Sequence, residues 1–137
     1  MVKKNFTRGA RLSDNKSPGF QRKPDYPLEI APSGKSIRVT LGGEVIAETS
    51  DALVMTESDY SPAYYIPLGD VRLDLIEKTD HSSYCPFKGN ASYWTISAGG
   101  QTAENAVWSY ETPFDEVALI RETMSFYTSK VDAIEVG

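Results

Sequence analysis

Three side chains that can take part in chemistry fall together in the stretch HSSYCPFKGNASYW: His81, Cys85 and Lys88. Cys85 is the only cysteine of the chain. A thiol beside an ammonium ionises below its free value of about 8.5, and a nearby imidazole can serve as its base. Pro86 favours an extended Cys85 and suits the second position of a turn, so CPFK reads as a four-residue turn with Gly89 just beyond. Such a turn holds the Cα atoms of Cys85 and Lys88 within about 7 Å. A second reading is equally physical. Free cysteine is among the most buried residue types, Lys88 can point into water, and no second cysteine is present to resolve a disulfide. The residues leave both open.

Other polar groups extend the constellation. Glu57 is in step with Leu53 and Met55 along an expected strand, which sets its carboxylate at the edge of a buried face. A carboxylate there needs a cation, and Arg38 or Lys88 can supply one. Tyr64, Tyr65, Trp108 and Tyr110 serve as core aromatics or as ligand walls. Asp70 reads as a helix cap or turn residue. Metal chemistry finds no support: one histidine and one cysteine fall short of a usual zinc site, and no calcium-loop spacing occurs. The glycines of GGE, KGN and AGG match no phosphate or dinucleotide loop, so no cofactor is expected.

The elements that must position these groups are mostly short strands. IRVTL-GG-EVIAET reads as a tight hairpin, with Val39 facing Ile46 and Arg38 facing Ala47, and with Ile37, Val39, Leu41 and Ile46 toward the core. ALVMTE and the proline-bounded AYYIP follow as strands. DVRLDLIEK fits a strand or a short helix. ASYWTIS and AVWSY make a second hairpin around AGGQTAEN, which places Trp94 and Trp108 in neighbouring strands. FDEVALIRETM suits one or two helical turns, and SFYTSKVDAIEV reads as a last hairpin across residues 128–130. Residues 1–35, with Pro18, Pro24, Pro27 and Pro32, read as an extended basic arm, and the folded domain is expected over 36–137.

A chain of 137 residues, 40% hydrophobic, suits one globular domain. No apolar run approaches the roughly 18 residues of a membrane span, and no signal-peptide core follows Met1, so a soluble, cytoplasmic protein is expected. Residues 1–35 hold eight Lys and Arg against three acids, while the remainder is acidic enough to leave the whole at −5. An acidic body repels phosphate, and the basic arm lacks interleaved aromatics, so nucleic acid is not the expected partner.

The ordered set RVTLGGEVIAET, Glu57, SPAYYIP, DVRLDL, TDHSSYCPFKGNASYW, NAVWSYETP and SFY resembles the bacterial and fungal family called domain of unknown function 427. The resemblance spans roughly residues 36–137, and CPFKGNASYW is its most specific piece. It implies a compact β-fold of the β-tent, Mss4-like type with one or two short helices. Relatives of that fold hold zinc through paired CxxC motifs, which this chain lacks, and the family's nucleotidyltransferase-like label finds no acidic metal motif here. The family's recurring polar residues match at Arg38, Glu57, Tyr64, Asp70, Thr79, His81, Cys85, Lys88, Trp108 and Tyr110, which implies a common pocket.

Two functions follow as expectations. In the first, a pocket takes a small polar or anionic ligand, with Arg38 and Lys88 as cations and Tyr64, His81, Trp108 and Tyr110 around it. Catalysis in that pocket would use Cys85 as nucleophile or Glu57 as general base, with Lys88 and Arg38 stabilising negative charge. In the second, the same residues brace the fold of a non-catalytic protein-interaction module.

Overall fold

A computed structural model describes residues 15–137. The protein is mainly β, as its short alternating segments require, with ten strands and one five-residue α-helix among the described residues. Helix α1 spans Pro18–Arg22, and the strands are β1 Leu28–Pro32, β2 Ile37–Leu41, β3 Glu44–Thr49, β4 Leu53–Glu57 and β5 Ala63–Pro67. They continue as β6 Ile76–Cys85, β7 Gly89–Ala98, β8 Gln101–Ser109, β9 Thr123–Phe126 and β10 Ala133–Val136. Short 3-10 turns cover Leu68–Asp70, Leu73–Leu75 and Asp115–Ile120. DVRLDLIEK is therefore a 3-10 turn running into a strand, and DEVALI tightens to 3-10 geometry. Among the described residues no helix is long and apolar enough to cross a membrane.

The strands form two antiparallel sheets: seven strands in the order β1-β4-β5-β9-β8-β7-β6, and three in the order β10-β2-β3. The apolar stripe of the small sheet, Ile37, Val39, Leu41 and Ile46, is buried as its alternation demands. It packs in one cluster with Ile66, Trp94, Ile96, Val107 and Phe126 of the large sheet. The other face of the large sheet carries a second cluster built on Met55, Tyr65, Tyr93, Tyr110, Val117 and Ile120. Period-two alternation sends neighbours to opposite clusters: Tyr64 packs against the first and Tyr65 belongs to the second.

Four expectations are corrected. The first hairpin keeps Leu41 opposite Glu44, but a bulge shifts the register so that Val39 pairs with Ala47 and Arg38 with Glu48. The extra residue lets Ile46 and Ala47 both be buried. The second hairpin sets Trp94 and Trp108 in adjacent strands as expected, with Trp94 opposite Val107 and Tyr93 opposite Trp108, but its loop is only Gly99–Gly100: QTAEN, read as loop, belongs to β8. The last hairpin does not form: β9 already has β5 and β8 on its two edges, so β10 crosses to β2.

The fourth concerns the arm. Residues 1–14 lie outside the described residues. The segment from Ser17 onward is packed, with Ser17 fully buried and β1 paired to β4 along its whole length. Pro18 starts a helix, where proline is favourable at the first position, while Pro27 precedes β1 and Pro32 is its last residue.

The hairpin tips Gly42–Gly43 and Gly99–Gly100 all have positive φ, the requirement of a two-residue primed turn. The tips also abut: a Cβ at Gly99 would collide with the Gly42 carbonyl group, and one at Gly42 with that of Ala98. Gly99→Ala is therefore expected to lower unfolding free energy by more than about 1 kcal/mol. Gly43→Ala carries the backbone strain without the collision and is expected to cost less, with urea denaturation as the measurement.

Candidate functional site

The CPFK turn forms as its sequence suggests, with the Lys88 amide donating to the Cys85 carbonyl at 3.2 Å. It joins β6 to β7, and Cys85 pairs with Gly89. The turn aims Lys88 at the end of β4. There its Nζ donates to Glu57 Oε1 at 2.7 Å, with side-chain exposures of only 13% and 15%. Desolvation makes an isolated charge at such a place very costly, so each ion requires the other.

The segment before β1 completes the arrangement. Tyr26 donates its hydroxyl to Glu57 Oε2 at 2.6 Å, so both carboxylate oxygens are engaged. The Tyr26 ring stacks on Phe87 of the turn at 3.8 Å, and Phe20 meets the other two edge-on. Ser17 caps α1 by accepting from the Phe20 amide, and its hydroxyl donates to the Pro86 carbonyl at 2.6 Å. The Gly19 amide donates to the same carbonyl at 2.9 Å. Any Cβ at Gly19 would sit 2.7 Å from the Phe87 ring, so glycine is needed for this approach. The strap, the turn and β4 are thus tied into one unit.

Around the ion pair lies a cavity of about 270 Å³ whose walls include Tyr65, Tyr93, Tyr110, Tyr127 and Trp108. Lys88 Nζ lies 5.7 Å from the centre of the Tyr110 ring, within cation–π range. Trp108 Nε1 donates to the Tyr65 hydroxyl at 3.3 Å, fixing the indole between Tyr65 and Tyr127. Burial holds Tyr65 and Tyr110 well above the usual phenol range. Tyr127 is pushed up to about 12 by burial and then by the neighbouring Tyr93. The Glu57 hydrogen bond, followed by burial, raises Tyr26. At neutral pH these four are hydrogen-bonding phenols, not anions.

The donor count is the chemical signature of this cavity. An ammonium has three donors, and among the described residues Lys88 uses one, on Glu57. Tyr110 is 7% exposed, yet its hydroxyl has no hydrogen-bond partner among the described residues. Tyr65 accepts from Trp108, while its own proton goes to no acceptor among the described residues. Donors with no acceptor among the described residues therefore face a cavity whose one carboxylate is already engaged at both oxygens.

Of the residues singled out from the sequence, Glu57, Tyr65, Lys88, Trp108 and Tyr110 line this one cavity. Tyr64 lines a neighbouring one, on the opposite face of β5. Cys85 lines neither and is half-buried, packed against the tyrosine cluster. His81 does not serve Cys85: four residues along strand β6 separate them by about 13 Å. The exposed imidazole instead packs on the Tyr93 ring at 4.4 Å. Arg38 is exposed on β2, held by Glu48 at 2.8 Å and near Glu135 at 3.8 Å, so Lys88 is the cation that Glu57 finds. Thr79 bonds to Asn105, and Asp70 accepts from Thr49. Among the described residues no group of three or more His, Cys, Asp or Glu side chains is placed to hold a metal ion.

Sequence reasoning missed Tyr26, Tyr93 and Tyr127. Tyr93 was legible, because it alternates with Trp94 and must take the opposite face. Tyr26 was not, because it lies within the segment read as an arm.

Two measurements follow. Lys88→Met leaves a nearly buried carboxylate without its cation and is expected to cost about 3 kcal/mol in chemical denaturation. Adding Glu57→Gln is expected to recover part of that loss, giving a coupled double-mutant cycle. The raised phenol values favour the protonated folded state, so their contribution is complete below the unfolded value of about 10. It is lost as pH climbs toward 12 and beyond. Phenolate absorbance should therefore appear in two steps, with the late tyrosines ionising together with unfolding.

A search of curated proteins returns no match. A family model described as "Domain of unknown function (DUF427)" matches residues 29–137, starting inside β1 and including Glu57, the CPFK turn and every tyrosine of the cavity wall. Tyr26 and the rest of the strap precede the matched region. With that match covering most of its length, the chain belongs to the domain of unknown function 427 family.

Proposed function

We propose that the chain is a binding domain for a small ligand, held through an anionic or otherwise hydrogen-bond-accepting group in the tyrosine-lined cavity. The observation that carries this reading is the surplus of donors beside a nearly buried ion pair: Lys88, Tyr110 and Tyr65 face a cavity whose one carboxylate is already engaged at both oxygens. A concave site with aromatic walls and a few convergent polar groups is the usual form of a ligand pocket. The Lys88–Glu57 pair is neutral as a unit, which suits a singly charged group better than a dianion. If turnover accompanies binding, Lys88 and the phenols are the groups placed to stabilise negative charge on the ligand, while Cys85 stands outside the cavity. A reducing cytoplasm suits the half-buried free thiol of Cys85.

Ligand-observed NMR and thermal shift with a panel of small organic acids, set beside inorganic phosphate, test this reading. Singly charged acids are expected to bind and raise the melting temperature. Tyr110→Phe, which keeps the ring, is expected to weaken that binding roughly three- to tenfold without loss of stability. Unchanged affinity in Tyr110→Phe and Lys88→Met, or no bound acid at all, would refute the proposal. Capture of a protein partner with no response to any acid would favour the interaction-module reading instead.

A further inference from the structure

A second cavity of about 270 Å³ lies on the far side of Trp108, with Ile37, Val39, Ile66, Phe126 and Ile134 among its walls. These residues belong to both sheets, so the space opens between them. Folded interiors normally close such gaps, because a lining without neighbours forfeits dispersion contacts. The two cavities share Ser61, Ala63, Trp108 and Tyr127 as lining residues. Their characters differ. One side has Lys88, Glu57 and phenol hydroxyls; the other is mostly apolar, with branched aliphatic side chains and Phe126 beside the hydroxyls of Tyr64, Ser125 and Thr128. Trp108 is fixed between them by its bond to Tyr65 and its contact with Tyr127.

We infer that the two cavities are halves of one site for an amphiphilic monocarboxylic acid. The carboxylate is taken by the Lys88 ammonium and the Tyr110 hydroxyl, and the hydrocarbon body passes Trp108 into the space between the sheets. This deepens the proposed function and rests on it for the head group. A carboxylate suits the head because it only accepts hydrogen bonds, as the unused donors require, and because it brings a single charge to a neutral pair. A hydrocarbon suits the body because Ile37, Val39, Ile66, Phe126 and Ile134, which supply most of the wall beside the hydroxyls of Tyr64, Ser125 and Thr128, offer no partner for a polar one. The mouth of the apolar half is marked by exposed Ser61, Pro62, Thr128 and Val136.

The full chain is titrated with sodium acetate, butyrate, hexanoate and octanoate and with 1-octanol, followed by NMR or calorimetry. Affinity is expected to rise roughly fourfold per methylene until the apolar space is full. Octanol is expected to bind at least tenfold more weakly than octanoate. Val136→Trp narrows the mouth from an exposed position and should flatten the chain-length dependence, whereas Lys88→Met should weaken every acid and keep the slope. Ile134→Asp gives a second reading of the apolar half if the tryptophan variant proves uninformative through misfolding. Equal affinity for acetate and octanoate would overturn the two-part site while leaving the head-group reading intact. Equal affinity for octanoate and octanol would overturn the assignment of the carboxylate to Lys88. A slope that survives in both mouth variants would overturn the assignment of the body.

Discussion

The Lys88–Glu57 ion pair is the constraint around which this molecule is arranged. Both charges are largely removed from water, and neither can be tolerated there alone. The pair therefore demands that the β6–β7 turn reach the end of β4, although the two are far apart in the chain. It also draws in the strap before β1, because Tyr26 fills the second carboxylate oxygen. The stacking of Tyr26 on Phe87, and the capture of the Pro86 carbonyl by Ser17 and Gly19, hold that closure in place. A single electrostatic requirement is met by a small hydrophobic and hydrogen-bonded clasp.

The large sheet separates the consequences of that clasp into two faces. On one, tyrosine rings gather around the ion pair and keep their protons because burial disfavours the phenolate. On the other, the three-stranded sheet covers an aliphatic core. Trp108 sits where the two environments come together, with its indole N–H satisfied by Tyr65 and its ring against Tyr127. An amphipathic side chain suits that boundary. The polar cavity, the apolar space and the residue between them all follow from alternation along β5 and β8.

Much of this was legible locally. The Gly42–Gly43 tip, the CPFK turn and the alternating strands are short-range features, and the structure has them where the residues call for them, while the second hairpin closes more tightly than the loop read there. Glu57 was legible as a strand-end carboxylate in need of a cation. The errors lie where partners are chosen. Thr128–Lys130 looks like a hairpin turn, yet β9 had no free edge to offer β10. The prolines between residues 18 and 32 look like an unfolded arm, yet β4 supplied an edge for β1, and the turn supplied a surface for Phe20 and Tyr26. Arg38 looks as available to Glu57 as Lys88 does, until the bulged β2–β3 register sets Glu48 opposite it.

The sequence by itself determined the class of the fold, the tight Gly42–Gly43 hairpin, the cysteine turn and the list of polar residues from which a site had to be drawn. These depend on φ preferences, on period-two alternation and on the cost of burying charge, all of which act over a few residues. Tertiary structure alone decided which cation meets Glu57, that Cys85 and His81 are separated along one extended strand, and that five tyrosines and a tryptophan frame the ion pair. Those outcomes depend on which strand edges remain open and which faces are covered, and such competition is settled only when the whole chain packs at once.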